Sequence, residues 1–267
     1  FTASTDAGAG LHATPYTVEW CDNSSFTSCS SYTDTSDTNS YTHSTDLADG
    51  TWYFRIKAKD ALDNESSYSS NGSTTIDSTA PVSIDLSSPG NDSYTSSSRP
   101  TFKWKATSDA TSGLSKYKVE IDNPSLGSSQ VSGDFVIDNI PVSRTTTYET
   151  DKYIVQYENF DDADDDNNYI SVYTKSHRDW ETSQNDGQLR EGRVTWKVAA
   201  VDTAGNETSS SRTIFVDRTG PKVELNELND LVDVPEGESY FATTDSTPTI
   251  KGKIIDRLAG GDTSLNR

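Results

Sequence analysis

The feature that most constrains the fold of this chain is an internal repeat. Residues 50–65 read GTWYFRIKAKDALDNE, and residues 192–207 read GRVTWKVAAVDTAGNE. The glycine, the aromatic residue, the branched aliphatic residue, the alanine, the aspartate and the asparagine recur at the same spacings. Each copy then runs through a polar stretch to a junction, IDSTAPV at 76–82 and VDRTGPK at 216–222. Two matches of this length in the same order predict a chain of similar modules.

A second set of matches indicates where the modules begin. The earlier members of the set are Phe1, Ala3, Asp6, Gly10, Leu11, Tyr16 and Val18, and the later ones are Trp104, Ala106, Asp109, Gly113, Leu114, Tyr117 and Val119. Residues 247–252 (TPTIKG) also resemble residues 99–104 (RPTFKW). These matches predict three modules, 1–80, 81–220 and 221–267. The first module is expected to start inside its second strand, and the third module is expected to stop just after its second strand. We therefore expect the natural polypeptide to extend in both directions.

The alternation of apolar and polar residues predicts where the strands lie. Apolar residues alternate in 16–20, 52–58, 82–86, 102–106, 117–121 and 194–200, and no amphipathic helix of three turns is evident. Apolar residues make up only 31 % of the chain, but aromatic residues reach 10 %, which is typical of small ordered cores with polar outer faces. We therefore predict an all-β fold of tandem β-sandwiches. The middle one is enlarged by an insertion at 125–190, where recognition would lie.

The combined pattern is Gly-x-x-x-aromatic-x-Val/Ile-x-Ala-x-Asp-x-x-Gly-Asn, followed by a strand that ends in Asp-x-Thr-x-Pro. It resembles the immunoglobulin-like and fibronectin-III-like repeats of large bacterial surface proteins and adhesins. It is also similar to the hyalin-type repeat, whose cysteines are missing here. The resemblance implies tandem sandwich modules in an extracellular protein. The resemblance says almost nothing about a ligand, because such folds carry many functions.

The recurring turn and junction have structural explanations. Gly205 is expected to adopt a positive φ, and Asp63 is one of the few residues that can replace a glycine there. Asp60 and Asp202 are expected to accept hydrogen bonds from turn amides; binding a cation is the alternative. The prolines that end each junction, Pro81 and Pro221, fix φ and keep the linker short, which predicts a semi-rigid rod.

Three places in the sequence are candidates for binding Ca²⁺ through carboxylate oxygens. Asp77 and Asp217 lie at the junctions, where several of the surface-protein families that the chain resembles bind Ca²⁺ between modules. Asp162, Asp164 and Asp166 have the alternate spacing of an EF-hand loop. However, an EF-hand loop needs a glycine at its sixth position and a bidentate acid at its twelfth. Asn167 and Tyr173 occupy these positions, so the segment does not match a true EF-hand. An exposed acidic hairpin loop is the alternative.

Three further residues are candidates for structural or binding roles. Cys21 and Cys29 are the only cysteines and predict a local disulfide in an exported protein. Trp180 lies in a polar stretch, where it could stack on a sugar ring or cap the edge of the sandwich. The three histidines are scattered and no nucleophile or phosphate-binding motif occurs, so we predict that the chain is not an enzyme.

The net charge of the chain limits the kinds of partner that it can bind. The net charge is −20, which argues against nucleic acid and against charge-driven adhesion to anionic membranes. No apolar run is long enough for a membrane helix, so no direct membrane insertion is expected. Partners are expected to be neighbouring modules of the same chain, copies of itself, or a cell-surface glycan. The predicted function is a non-catalytic structural or adhesive segment of an extracellular cell-surface protein (a stalk, fibre or S-layer-like coat). The alternative is an accessory carbohydrate-binding region of a secreted polysaccharide-degrading enzyme.

Overall fold

The structure is a computed structural model that describes residues 1–28, 31–122, 135–160, 168–175, 188–228 and 250–255. Within these ranges the regular elements are sixteen β-strands. They are β1 (Leu11–Cys21), β2 (Ser31–Ser36), β3 (Gly50–Asp60), β4 (Gly72–Ile76), β5 (Leu86–Ser88), β6 (Ser93–Thr95), β7 (Phe102–Lys105), β8 (Leu114–Asp122), β9 (Phe135–Ile140), β10 (Tyr148–Glu149), β11 (Tyr153–Glu158), β12 (Tyr169–Thr174), β13 (Gly192–Asp202), β14 (Glu207–Val216), β15 (Lys222–Leu228) and β16 (Ile250–Ile255). In the same ranges, no helix is long and apolar enough to cross a membrane.

The chain forms two compact units. The first comprises Phe1–Ser83, Thr107–Tyr117 and Ala199–Thr208, and the second comprises Ile84–Ala106, Lys118–Val198 and Ser209–Arg267. The first unit therefore contains the whole 76–82 junction together with two loop segments of the predicted middle module. The module boundaries at 81 and 221 stay predictions.

The first unit is built on one four-stranded sheet in the order β2-β1-β3-β4, with antiparallel pairing throughout. Alternate residues of β1 and β3 point to one face, where Tyr16, Val18 and Trp52 are buried. The pairing of β1 with β3 is irregular between Leu11 and Tyr16. This irregularity lies where β1 has the two extra residues relative to its match in β8, so the strand accommodates the insertion as a bulge.

The second unit contains a β-sandwich made from two five-stranded sheets. Their orders are β10-β11-β12-β7-β5 and β6-β14-β13-β8-β9, with β6 parallel to β14. The ring of Phe102 on one sheet contacts the ring of Trp196 on the other, with centroids 5.1 Å apart. The buried apolar residues of the two sheets include Phe102, Trp104, Val155, Ile170, Val172, Val119, Ile121, Val194, Trp196, Val198, Ile214 and Val216. The predicted all-β sandwich and the extra strands within 125–190 are confirmed.

Two predicted strands are shorter than expected or absent. Val82 is 60 % exposed and lies outside β5, because its amide donates to Ser108 O (3.0 Å) and its carbonyl accepts from Thr107 Oγ1 (2.7 Å). Residues 1–10 form no strand, although Phe1 matches Trp104 of β7. β7 is held between β5 and β12, and no counterpart of either strand flanks Phe1 among the described residues of the first unit.

The third predicted module is represented by the antiparallel pair β15 and β16. The pairing is irregular between Leu225 and Glu227.

Candidate metal centre

The loop before β8 is organised by one carboxylate. Oδ1 of Asp109 accepts hydrogen bonds from the amides of Thr111 (3.1 Å), Ser112 (2.9 Å) and Gly113 (3.0 Å). Gly113 closes the loop at a φ of 73°, a conformation that glycine adopts without a steric penalty. Asp6 and Gly10 repeat the arrangement, with Asp6 Oδ2 accepting the Gly10 amide at 2.8 Å. The pattern Asp-x-x-x-Gly therefore encodes a rigid anionic loop in both copies.

The turn after β13 presents a second carboxylate. Oδ1 of Asp202 accepts the amides of Gly205 (2.6 Å) and Asn206 (2.8 Å), and Oδ2 accepts Asn206 Nδ2 (2.9 Å). Asp60 makes the same contacts with Asn64 in the first copy. Gly205 has a φ of 100°, and Asp63 at the matching position has a φ of 64°. The predicted turn roles of these residues are confirmed.

The two loops are joined to each other in each copy. The amide of Thr203 donates to Gly113 O at 2.9 Å, and the amide of Ala61 donates to Gly10 O at 2.9 Å. The hydroxyl of a buried tyrosine supports the same loop. Tyr117 Oη accepts the Thr107 amide at 2.9 Å, and Tyr16 Oη accepts the Ser4 amide at 2.9 Å. The repeat therefore preserves hydrogen bonds as well as residues.

The junction residue Asp77 brings a third carboxylate to these loops. Its Oδ1 accepts the Thr79 amide (3.0 Å) and its Oδ2 accepts the Ser112 amide (3.1 Å). Asn206 Nδ2 donates to the backbone oxygen of Asp77 at 3.0 Å. The junction is thereby attached to both loops of the middle module, within the first unit.

One carboxylate oxygen each from Asp77, Asp109 and Asp202 lie within 4.8 Å of one another. Asp202 is only 2 % exposed, and the other two are partly exposed. Ser112 Oγ, on the residue whose amide binds both Asp77 and Asp109, is buried without a hydrogen-bond partner. Three negative charges this close repel each other unless a cation separates them. Carboxylate oxygens from three chain segments are the ligands that a hard divalent cation prefers.

The protonation state of Asp202 favours such a role. Burial acts to raise the pKa of its carboxyl, but hydrogen bonds from Asn206 and from the amides of Gly205 and Ala204 outweigh burial. The pKa is therefore lowered from its ordinary value. Asp202 is ionised at neutral pH and available to a cation.

Sequence reasoning found part of this cluster. It named Asp77 and left a cation as the alternative role of Asp202, but it gave Asp109 no chemical role. The recurrence of Asp-x-x-x-Gly at Asp6 and Asp109 was the signal that could have identified the third carboxylate. The sequence alone cannot show the rest of the cluster, because its members come from three segments that only the fold brings together.

The second junction repeats the local geometry of the first. Asp217 Oδ1 accepts the Thr219 amide at 3.1 Å, as Asp77 does with Thr79. Among the described residues, Asp217 belongs to no group of three potential metal ligands. Residues 256–267, which follow β16, lie outside the described part of the chain.

Both junctions also have a clasp that the sequence did not predict. We use this name for the acid directly before β3 or β13 together with the junction threonine. Thr79 Oγ1 donates to Asp49 Oδ2 at 2.6 Å, and Thr219 Oγ1 donates to Glu191 Oε2 at 2.9 Å. The hydrogen bond from Thr79, followed by those from Ser78, lowers the pKa of Asp49 from its ordinary value. The clasp explains the recurring threonine of Asp-x-Thr-x-Pro.

The remaining predicted site residues are only partly described. Cys21 is fully buried and disulfide-bonded, whereas Cys29, its predicted partner, lies outside the described residues. Asp162, Asp164, Asp166 and Trp180 also lie outside the described residues. Their assignments to Ca²⁺ and to a sugar ligand stay predictions.

Comparisons with known proteins give likenesses of fold only. No family model matches the sequence, and no curated protein matches it significantly. Fibronectin(III)-like modules of CbhA from Clostridium thermocellum share 14 % identity over 80 % of this chain and 82 % of theirs, with a TM-score of 0.34. A tetra-tandem repeat from the extending region of a large adhesion protein shares 15 % identity over 95 % of this chain and 58 % of its own, with a TM-score of 0.28. The C-terminal domain of the Streptococcus pyogenes antigen I/II-family protein AspA shares 12 % identity over 70 % of this chain and 59 % of its own, with a TM-score of 0.26.

Proposed function

We propose that the chain is a non-catalytic structural segment of an extracellular cell-surface repeat protein, and that Ca²⁺ holds its first junction together. The observation that carries the proposal is the convergence of Asp77, Asp109 and Asp202 within 4.8 Å. One carboxylate belongs to the junction and the other two belong to loops of the middle module. The disulfide of Cys21 supports export, since disulfides persist in oxidising compartments.

Ca²⁺ suits the cluster better than Mg²⁺ does. Ca²⁺ accepts six to eight oxygen ligands in irregular geometry, whereas Mg²⁺ needs a near-ideal octahedron and keeps several waters. Here each carboxylate is held by backbone amides of its own loop, so the three oxygens cannot rearrange freely. A tolerant cation that completes its shell with water and backbone oxygens fits such a fixed set.

The physical effect of the cation is to attach the junction to the middle module. Without it, the hydrogen bonds of Asp77 and Asn206 oppose the mutual repulsion of three carboxylates. With it, the repulsion becomes attraction through a shared ion. Because Pro81 follows directly and restricts the backbone, an attached junction transmits force and orientation along the chain. This is the property that a stalk, a fibre or a coat requires.

The test is thermal unfolding of the intact chain in EDTA and in Ca²⁺, for wild type and for Asp109→Asn. A Ca²⁺ concentration of about 100 times the Kd stabilises the binding unit by about 2.7 kcal/mol. That corresponds to a rise in Tm of roughly 10–20 °C for a unit of about 100 residues. The rise is expected in wild type and absent in Asp109→Asn.

The chain offers a matched control in Asp6→Asn. Asp6 holds the same kind of loop as Asp109, but Asp6 is not part of the three-carboxylate group. Both substitutions keep an oxygen that accepts amide hydrogen bonds, so both test the loop equally. Asp6→Asn should retain the Ca²⁺ response. Loss of the response in both variants, or a wild-type Tm that is the same in EDTA and Ca²⁺, contradicts the proposal.

A further inference from the structure

The loop between β7 and β8 contains a hydroxyl group whose burial its hydrogen bonds do not explain. Ser112 Oγ is shielded from solvent and has no hydrogen-bond partner among the described residues. A buried hydroxyl in this state has lost its hydration and gained no bond in return. Because nearly all buried polar groups in folded proteins are paired, one that is left over indicates that a water or an ion belongs beside it.

This hydroxyl lies next to the three carboxylates of the metal centre. The Ser112 amide donates to Asp77 Oδ2 at 3.1 Å and to Asp109 Oδ1 at 2.9 Å. Only three covalent bonds separate Oγ from that amide nitrogen, so Oγ also lies within a few ångströms of both carboxylates. One oxygen of Asp202 lies within 4.8 Å of an oxygen of each of the other two aspartates. The unpaired hydroxyl and the three carboxylates therefore border one small region.

The first copy of the loop shows that the hydroxyl is not needed to form it. Residues 6–10 (DAGAG) match residues 109–113 (DATSG), so Ala9 occupies the position of Ser112. Both loops close on a glycine of positive φ whose amide is bonded to the aspartate. Among the described residues, however, Asp6 belongs to no group of three potential metal ligands. The hydroxyl thus occurs in the copy where three carboxylates meet.

A neutral oxygen suits the electrostatics of this site better than a fourth acid does. The three carboxylates together carry a charge of −3, so a bound divalent cation leaves −1. A fourth carboxylate would leave −2 and would add its own repulsion to that of the others. A hydroxyl offers one more oxygen without adding charge, and Ca²⁺ takes six to eight oxygen ligands.

We infer that the hydroxyl oxygen of Ser112 is a fourth protein ligand of the cation and favours Ca²⁺ over Mg²⁺. This inference rests on the proposed function, because it assigns a further ligand to the same site. Mg²⁺ keeps several of its own waters and gains little from a fourth protein oxygen, whereas Ca²⁺ accepts many protein ligands. Ser112 thereby distinguishes the metal-binding loop from the otherwise similar loop of the first copy.

The test is calorimetric titration of the intact chain with CaCl₂ and with MgCl₂, as wild type and as Ser112→Ala. The variant carries the residue of the first copy, so its loop should form as that loop does. Its Kd for Ca²⁺ should rise about tenfold or more, and its Kd for Mg²⁺ should change less. Ser112→Thr keeps a hydroxyl and should bind Ca²⁺ more tightly than Ser112→Ala. Ala9→Ser is the matched control and should leave both Kd values unchanged.

A second readout separates a metal ligand from a residue that only supports the loop. The luminescence lifetimes of bound Tb³⁺ in H₂O and D₂O give the number of waters on the ion. Asp109→Asn supplies the background from other acidic sites. In Ser112→Ala the number of waters should rise by about one, because water takes the place of the hydroxyl. The Tm in EDTA should not fall, since the substitution removes a buried unpaired group.

Two results overturn the inference and leave the proposed function in place. The first is a Ser112→Ala variant with the Ca²⁺ affinity and the number of bound waters of wild type. The second is weaker binding with an unchanged number of waters, which assigns the hydroxyl a supporting role in the loop. If wild type binds no Ca²⁺ in the same titration, the proposed function fails and the inference fails with it.

Discussion

Single carboxylates in this chain organise the backbone around them. Asp60 and Asp202 hold the same turn through the same hydrogen bonds, yet only Asp202 lies in the three-carboxylate group. The difference arises because a junction aspartate, Asp77, reaches the second copy. The sequence alone predicts the turn role, since the side-chain spacing is local. It cannot assign the proposed role in cation binding, which depends on a residue from another segment.

The turn carboxylate of the first copy, Asp60, should make the stability of the chain depend on pH. Hydrogen bonds from the side chain and amide of Asn64 lower the pKa of Asp60 in the folded state. Its contribution to stability is therefore present above the unfolded-state pKa of about 3.9 and is lost as pH falls through the lower folded value. Compared with Asp60→Asn, wild type should be more stable at neutral pH. Urea unfolding of both proteins should show this difference shrinking below about pH 4. A difference that grows on acidification contradicts this role of Asp60.

Strands differ in how far their sequence specifies them. The long strands β3, β8 and β13 alternate apolar and polar residues over most of their length, and the alternation predicted them. β10, β11 and β12 belong to the insertion, where alternation is weak and pairing partners supply the order. Residues 1–10 carry the pattern of β7 but form no strand, because a strand needs neighbours as well as a pattern. Local sequence therefore predicts the strands of the repeated motif better than those of the insertion, although β11 and β12 are inner strands of their sheet.

The pairing of β3 with β4 depends on one glycine. Gly72 lies opposite Phe54, and a Cβ on it would stand 2.3 Å from Phe54 Cζ. Gly72→Ala therefore displaces the Phe54 ring from its place over Gly72 and disturbs its packing on Trp20, whose ring centroid is 5.0 Å away. Overpacking of this kind costs about 1–3 kcal/mol, more than the roughly 0.5–1 kcal/mol that replacing a strand glycine by alanine can gain. The free energy of unfolding from urea titration should fall accordingly.

Gly220→Ala is the matched control for that substitution. A Cβ at Gly220 meets no atom within 4 Å, and the equivalent position in the first junction is Ala80. Its stability should be unchanged or slightly raised. A Gly72→Ala variant as stable as Gly220→Ala would show that the Phe54 ring moves without loss of packing.

For the molecule as a whole, the net charge of −20 means that dissolved salt weakens the repulsion between carboxylates. Screening by NaCl acts on all exposed carboxylates, with a Debye length of about 10 Å at 0.1 M. NaCl should therefore raise the Tm of wild type and Asp109→Asn alike. CaCl₂ at matched ionic strength should add a further rise in wild type alone. An equal effect of the two salts on wild type indicates general screening and no specific site.

The repeat connects these observations along the chain. The loops, the supporting tyrosines and the clasps recur with hydrogen-bond partners at equivalent positions in both copies. What recurs least is the covering layer of the sheet, which the middle module has and the described first unit lacks. The two junctions differ in chemistry, because among the described residues three carboxylates meet at the first junction and not at the second.

The most direct test is anomalous diffraction from crystals of the intact chain grown with Ca²⁺, and with Tb³⁺ as a stronger scatterer. The account predicts a peak that lies about 2.3–2.6 Å from carboxylate oxygens of Asp77, Asp109 and Asp202. Absence of a peak among these three residues, with metal bound elsewhere on the acidic surface or nowhere, contradicts it.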